Sequence, residues 1–424
     1  MSRLSAETER FLTAIDMHPA QTDTDAFIDA FLREMDAGLA GRPSSLRMLP
    51  TFVSSAGVPA EQEPVIALDA GGTNLRAALL EFRNGSPLVL REERSSMPGS
   101  RGSVPAEAFF SALAEVVLPF TRESRRIGFC FSYPAEIYPE GDGRIICLTK
   151  EVSVDGIEGR MVGQGLIDAL RERGVKGPLS CVVLNDTTAG LLGGAASLGL
   201  NSADGLAGLV LGTGCNSCFD ERGTKIKKLP AAKDMIVNCE SGNFAGAFRG
   251  RADERVDALS ENPGAYLFEK MLSGVYLGRV VTQEAALAAE AGLLSPAFAD
   301  PAPAFTAVEL DDFLRGRENR ISALCSGGDR STLMELTDSV FDRAAKLVCA
   351  NVLSLCLHCG SGESGEHPFA VVAEGSTFYR SLLLRKKLEA YLADIAECRY
   401  GRHIAFCRAE NATLTGAAFA VLTR

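Results

Sequence analysis

Val65-Ile66-Ala67-Leu68-Asp69-Ala70-Gly71-Gly72-Thr73-Asn74-Leu75-Arg76-Ala77-Ala78-Leu79-Leu80 opens on an apolar run of strand type and closes on another. Between the two runs, D-A-G-G-T-N is turn chemistry, so the stretch predicts a hairpin with a glycine tip. Gly71 and Gly72 let backbone amides approach a bound group, because no Cβ stands in the way. Thr73 adds a hydroxyl and Asn74 an amide. Asp69, at the end of the first strand, is an acceptor-only carboxylate suited to a hydrated Mg²⁺. The whole reads as a phosphate cradle beside a metal-positioning acid.

A second stretch repeats the plan. Gly208-Leu209-Val210-Leu211-Gly212-Thr213-Gly214-Cys215-Asn216-Ser217-Cys218-Phe219 gives an apolar strand, a G-T-G turn, an asparagine and a strand. Two such hairpins, more than a hundred residues apart, suggest two similar halves with one nucleotide gripped between them. This arrangement resembles the two-domain phosphate-clamping fold of actin, sugar kinases and heat-shock chaperones.

Working outward, residues 4–40 show helical apolar spacing in Phe11, Ile15, Phe27, Phe31 and Met35, with Pro19 as a separator. Residues 44–52 are extended and 54–64 form a linker. Asn84-Gly85 predicts a type I′ turn into a third strand at 88–93, with a loop at 95–103. A helix at 105–119, strands at 127–132 and 144–148, a helix at 160–173 and a strand at 180–184 complete the first half. The second half starts over at 206–211. A strand at 235–239, a helix at 263–281, a connection at 294–305 and a long helix at 333–356 follow. After a loop at 360–365 come a strand at 369–373, a helix at 382–395, a strand at 404–407 and a closing helix at 414–422. The pattern is α/β, with mixed sheets.

The chain has 424 residues, enough for two to three domains. A net charge of −11 argues against nucleic acid and anionic membrane as partners. The N-terminus has no apolar core of signal-peptide type, and no apolar run reaches the length of a membrane span, so a cytoplasmic protein is expected. The 12 cysteines read as free buried thiols. Cys215 and Cys218 alternate to opposite faces of the second hairpin. Cys356 and Cys359 lie in a helical stretch without a second pair at zinc spacing.

Gly128-Phe129-Cys130-Phe131-Ser132-Tyr133-Pro134 resembles the sugar-binding loop of the hexokinase family, G-F-x-F-S-[FY]-P. Further family-like segments follow in the family's order: Leu148-Thr149-Lys150, Leu184-Asn185-Asp186-Thr187, Gly212 to Asn216, and Val237-Asn238-Cys239-Glu240-Ser241-Gly242. The longest runs from Asn262-Pro263-Gly264 through Phe268-Glu269-Lys270 to Gly278. Residues 44–52 are similar to S-x-x-[KR]-M-L-P-T-[FY]. The resemblance extends from about residue 40 to the C-terminus. It implies two lobes of ribonuclease-H-like (actin/hexokinase) fold with an interdomain cleft. Residues 1–63 would pack on the large lobe, 64–187 would form the small lobe completed by 408–424, and 188–407 the large lobe.

The implied chemistry suits the residue types. A hexose has many hydroxyls and no charge, so its site needs fixed amides and carboxylates. The resemblance assigns Ser132, Thr149, Lys150, Asn185, Asp186, Asn216, Glu240 and Glu269 to the sugar. Glu269 alone would read as a helix-surface residue. Phosphoryl transfer from ATP needs a base, positioning and charge stabilisation. Asp186 matches the family's catalytic aspartate, with Lys150 and Thr213 beside the transferring phosphate. ATP would be held by Gly71, Gly72, Thr73, Asn74, Arg76, Gly212, Thr213, Gly214, Gly375 and Ser376, with Asp69 positioning Mg²⁺ through water. Arg76 would support its hairpin more than touch nucleotide. Glu374-Gly375-Ser376-Thr377 resembles the family's adenosine loop, D-G-S, with Glu for Asp; by itself it is a helix N-cap signal.

The chain departs from the family in having no Trp. W-T-K becomes Leu148-Thr149-Lys150, E-W-G becomes Glu240-Ser241-Gly242, and N-P-G-Q-Q becomes Asn262-Pro263-Gly264-Ala265-Tyr266. A glutamine that would help bind sugar is thus expected to be Ala265. The departures bear on which sugar is taken, not on kinase chemistry. Glucose is expected at its 6-hydroxyl. Fructose, mannose, an N-acetylhexosamine, or a non-catalytic sugar-sensing role remain as alternatives. Oligomeric state is not legible.

Overall fold

The computed structural model describes residues 4–72, 74–148, 152–199 and 203–424. Among them, two mixed sheets share one plan. The five-stranded sheet runs Ser180–Leu184, Arg126–Phe131, Val65–Gly71, Asn74–Arg83, Ser86–Ser96. The six-stranded sheet runs Ile404–Cys407, Phe369–Glu374, Gly205–Leu211, Cys215–Glu221, Met235–Asn238, and ends on the short Leu49–Pro50. In each sheet a hairpin and a third strand make an antiparallel meander, and two parallel strands continue from the hairpin's first strand. Both expected hairpins are therefore present, each at the centre of its sheet.

Local chemistry explains the turns. Gly72 takes φ +58° at the first tip, and Asn84 and Gly85 take +51° and +74°, as a type I′ turn requires. The third strand is longer than expected, reaching Ser96, with a register shift at Leu79/Leu80. The expected helix at 263–281 is broken instead. Glu269–Leu272 ends at Ser273, whose ψ is 161°, and Gly274–Glu290 begins anew. At the break the Gly274 amide donates to Gly212 O of the second hairpin at 2.8 Å. A Cβ on Gly274 would sit 2.2 Å from Thr377 Oγ1, so only glycine permits this approach.

The apolar residues form three cores. One lies under the six-stranded sheet and takes in the N-terminal helix Thr24–Leu39, whose Phe27 and Phe31 meet Phe244 edge-on at 5.0 and 4.9 Å between ring centroids. A second backs the five-stranded sheet. The third lies between the sheets, with Ala67, Cys130 and Val182 of one and Cys218, Ile236 and Val372 of the other. Helices Asp186–Leu198 and Ala412–Leu422 fill it, and their backbones nearly touch. A Cβ on Gly193 would lie 1.8 Å from Ala412 O, and one on Gly416 1.8 Å from Ala189 O. Cys215 faces the first of these cores and Cys218 the third, on opposite faces as alternation predicts. Among the described residues no helix is long and apolar enough to cross a membrane.

Candidate active site

Between the two sheets opens a cleft of about 580 Å³. From the five-stranded side come Gly71, Gly72, Ser132, Asn185 and Asp186; from the six-stranded side come Gly212, Thr213, Gly214, Asn216, Glu240 and Glu269, with Gly375 and Ser376. A recess of about 330 Å³ shares Gly71, Ser132 and Asp186 with it and adds Asp69, Asn74, Arg76, Glu374 and Thr413. Every described residue that the resemblance assigned to sugar, ATP or Mg²⁺ thus lines one of two adjoining spaces. Thr73, Thr149 and Lys150 lie outside the described residues.

At one end the polar groups are fixed by backbone. Asn185 caps its helix, its Oδ1 accepting from Thr187 N at 2.9 Å, and Asp186 Oδ1 accepts from the same amide at 2.8 Å. Glu269 Oε2 accepts from Cys215 N at 2.9 Å, which ties its carboxylate to the second hairpin. Asn216 Oδ1 accepts from Ser217 N and Ser241 N, and its Nδ2 donates to Asn238 Oδ1 at 2.7 Å. Asn238 Nδ2 donates onward to Glu240 Oε1 at 2.8 Å. Glu240 sits at φ +56°, a costly conformation for a residue with a Cβ, which aims the end of the strand into the cleft. These chains of bonds hold the acceptors still, the kind of rigidity that a site discriminating among hydroxyls requires.

Several cleft residues escaped the sequence reading, Asn238, Asn262 and Tyr266 among them. Asn238 stands in the quoted Val237-Asn238-Cys239-Glu240 segment, and its position two residues before Glu240 was the available signal. Tyr266 lines the cleft, whereas Ala265, expected to carry the altered sugar contact, is not among the lining residues. Tyr266 has φ +53°, and burial, with Cys147 and Glu240 nearby, pushes its phenol up.

At the other end the hairpin tips converge. Gly212 N donates to Gly214 O at 3.0 Å, and Gly212 O accepts from Gly274 N and from Thr377 Oγ1 at 2.9 Å. Tyr133 Oη steadies the first tip by donating to Gly72 O at 3.0 Å. Arg76 lines the recess and turns to Glu92 at 3.0 Å and Asn411 at 2.7 Å.

Burial pushes the Asp69 carboxyl up against the opposing effects of Thr413 and Arg76, with Asp186 adding to the rise. Burial likewise raises Glu374, with Arg408 opposing and Asp69 and Asp186 adding. Three carboxylates in one recess, two of them held above their usual range, are groups that a divalent cation would relieve. Among the described residues no three acidic, histidine or cysteine side chains converge as a ready-made metal site, so the recess suits a cation that keeps most of its water and leans on phosphate.

The hexokinase family's two-part signature matches residues 8–196 and 206–423. Hexokinase-1 of Schizosaccharomyces pombe is 28% identical over 420 residues, covering 92% of this chain and 85% of that protein. Hexokinase-1 of Oryza sativa subsp. japonica is 29% identical, covering 86% and 80%. The solved structure of the Schistosoma mansoni hexokinase complexed with glucose superposes with a TM-score of 0.79 over 99% of this chain and all of that one, at 21% identity, a likeness of fold.

Proposed function

Because the chain belongs to the hexokinase family, enzymes that phosphorylate a sugar with ATP, we propose that it transfers the terminal phosphoryl group of ATP to the 6-hydroxyl of a hexose, glucose first. One observation carries this reading: the fixed amides and carboxylates suited to a polyol open into the same cleft as the two glycine hairpins.

In the proposed mechanism Asn185, Asn216, Glu240, Glu269 and Ser132, with Thr149 and Lys150, hold the sugar hydroxyls. Asp186 takes the proton of the attacking hydroxyl, its carboxylate oriented by Thr187 N. Gly71, Gly72, Thr73 and Asn74 on one side, and Gly212, Thr213 and Gly214 on the other, grip the phosphates. Thr213 and the amides of its turn meet charge as it develops, and Lys150 adds a cation there. Gly375 and Ser376 receive the adenosine. Asp69 would position Mg²⁺ through water, and the cation would supply charge neutralisation for the transferring phosphate. The same proposal divides the chain into residues 1–63, a small lobe at 64–187 completed by 408–424, and a large lobe at 188–407.

A second reading, a kinase for fructose, mannose or an N-acetylhexosamine, gains support from Tyr266 in the cleft. ADP release measured across these sugars and glucose, with and without Mg²⁺, tests both. Mg²⁺-dependent release, fastest with glucose, is expected. Release with no hexose in the panel would overturn the kinase reading and leave the sugar-sensing one.

A further inference from the structure

Residues 257–267, which carry Asn262 and Tyr266 into the cleft, have no buried member. Such a segment cannot be held by an apolar core of its own. A polar pin stands in its place. Lys270, only 1% exposed, follows Glu269 on a helix of four residues, too short to be stable alone. An ammonium has three donors, and each finds an acceptor in the segment: Asp257 Oδ1 at 2.7 Å, Ser260 Oγ at 2.8 Å and Asn262 O at 2.8 Å. The Lys270 amide also donates to Tyr266 O at 3.1 Å. Asp257 closes the loop by accepting from Gly264 N at 3.0 and 3.1 Å. Burial pushes the Asp257 carboxyl up, but the bonds from Lys270 and Gly264 outweigh it and hold the group below its usual value.

We propose that Lys270 is a positioning residue for hexose binding, fixing Asn262 and Tyr266 against the cleft while its neighbour Glu269 faces the sugar. The inference rests on the hexose-kinase reading above. A buried charge is costly unless every donor is paired, and a fully paired one favours a single geometry over added stability. Lys270 touches no reacting atom; it acts through the segment it holds.

Steady-state kinetics of Lys270→Met against both substrates tests this. The KM for hexose should rise about tenfold or more, since small displacements of positioning groups carry penalties of this order. The KM for ATP should stay within about twofold of wild type. A merely structural role would lower the active fraction, and so kcat, without moving the hexose KM. Ser260→Ala removes one of the three acceptors and keeps the experiment readable if Lys270→Met does not fold. It should raise the hexose KM by about threefold, and Ser260→Thr, which keeps the hydroxyl, should restore it. An unchanged hexose KM in folded Lys270→Met or in Ser260→Ala, or an equal rise in the ATP KM, would overturn the inference alone. A wild-type protein that releases no ADP with any hexose would overturn the kinase reading, and this inference with it.

Discussion

Thr413 Oγ1 donates to Asp69 Oδ2 at 2.8 Å, across 344 residues of chain. The bond ties the returning C-terminal helix to the carboxylate at the mouth of the first hairpin. Burial raises the Asp69 carboxyl, and the Thr413 bond is the foremost influence opposing that rise. On the proposed mechanism Asp69 works only when ionised, so activity falls as pH drops through its raised value. Removing the bond in Thr413→Val lets that value climb further. The acid limb of kcat/KM should therefore move to higher pH, and more Mg²⁺ should be needed for half-maximal rate. A pH–rate profile superimposable on wild type would disprove the coupling.

Asp186→Ala should cost about 10²–10⁴-fold in kcat, the usual range for a lost general base, with hexose binding retained in part. The carboxylate also stands to contact the sugar hydroxyl, so the loss can exceed that range. Retention of near wild-type kcat would remove Asp186 from the mechanism.

The hairpins were legible because their signals are local, whereas the polar residues of the cleft were legible through the family resemblance, Glu269 by itself reading as a helix-surface residue. Glycine tips between apolar strands, and short polar motifs at strand ends, need no knowledge of distant contacts. The break at Ser273-Gly274 was not legible, since the second hairpin imposes it from some sixty residues upstream. Helix Arg251–Ala258 escaped because an ion pair takes part of the place of an apolar stripe: its buried Asp253 pairs with Arg343 at 2.6 Å. Tyr266 was passed over for Ala265 because a motif gives order along the chain, not the direction a side chain takes from a left-handed residue.

The thiols should be structural. Burial pushes Cys239, Cys349 and Cys356 up to about 12, and Cys398 is exposed. Titration of the native protein with a thiol reagent should modify Cys398 first and the buried group only on unfolding, and metal analysis should find no stoichiometric zinc. One tightly held zinc per chain would contradict this.

Gly416→Ala should destabilise the protein by about 3 kcal/mol, because the added methyl would fall 1.8 Å from Ala189 O where two helices cross. In an exposed helix the same change would stabilise by roughly 0.5–1 kcal/mol. Urea denaturation separates the two by sign. An unchanged or raised midpoint would mean that the crossing is looser than this geometry.

The last prediction concerns closure. Ser132, Asn185 and Asp186 reach the cleft from the five-stranded sheet, and Asn216, Glu240 and Glu269 from the side of the six-stranded one. Helices Asp186–Leu198 and Ala412–Leu422, packed on each other, fill the core between the sheets, and a closing motion would turn the halves about them. A cleft open to hexose is open to water, which could attack ATP in the sugar's place. A hexose bonded to both halves favours the closed form and completes the catalytic set only when the acceptor is present. It should therefore shrink the radius of gyration in small-angle scattering and raise the melting temperature, as any ligand selective for the folded, closed form does. ATP hydrolysis without sugar should be slow beside phosphorylation. A radius of gyration unmoved by a good substrate, together with equally fast hydrolysis in its absence, would sink the closure mechanism.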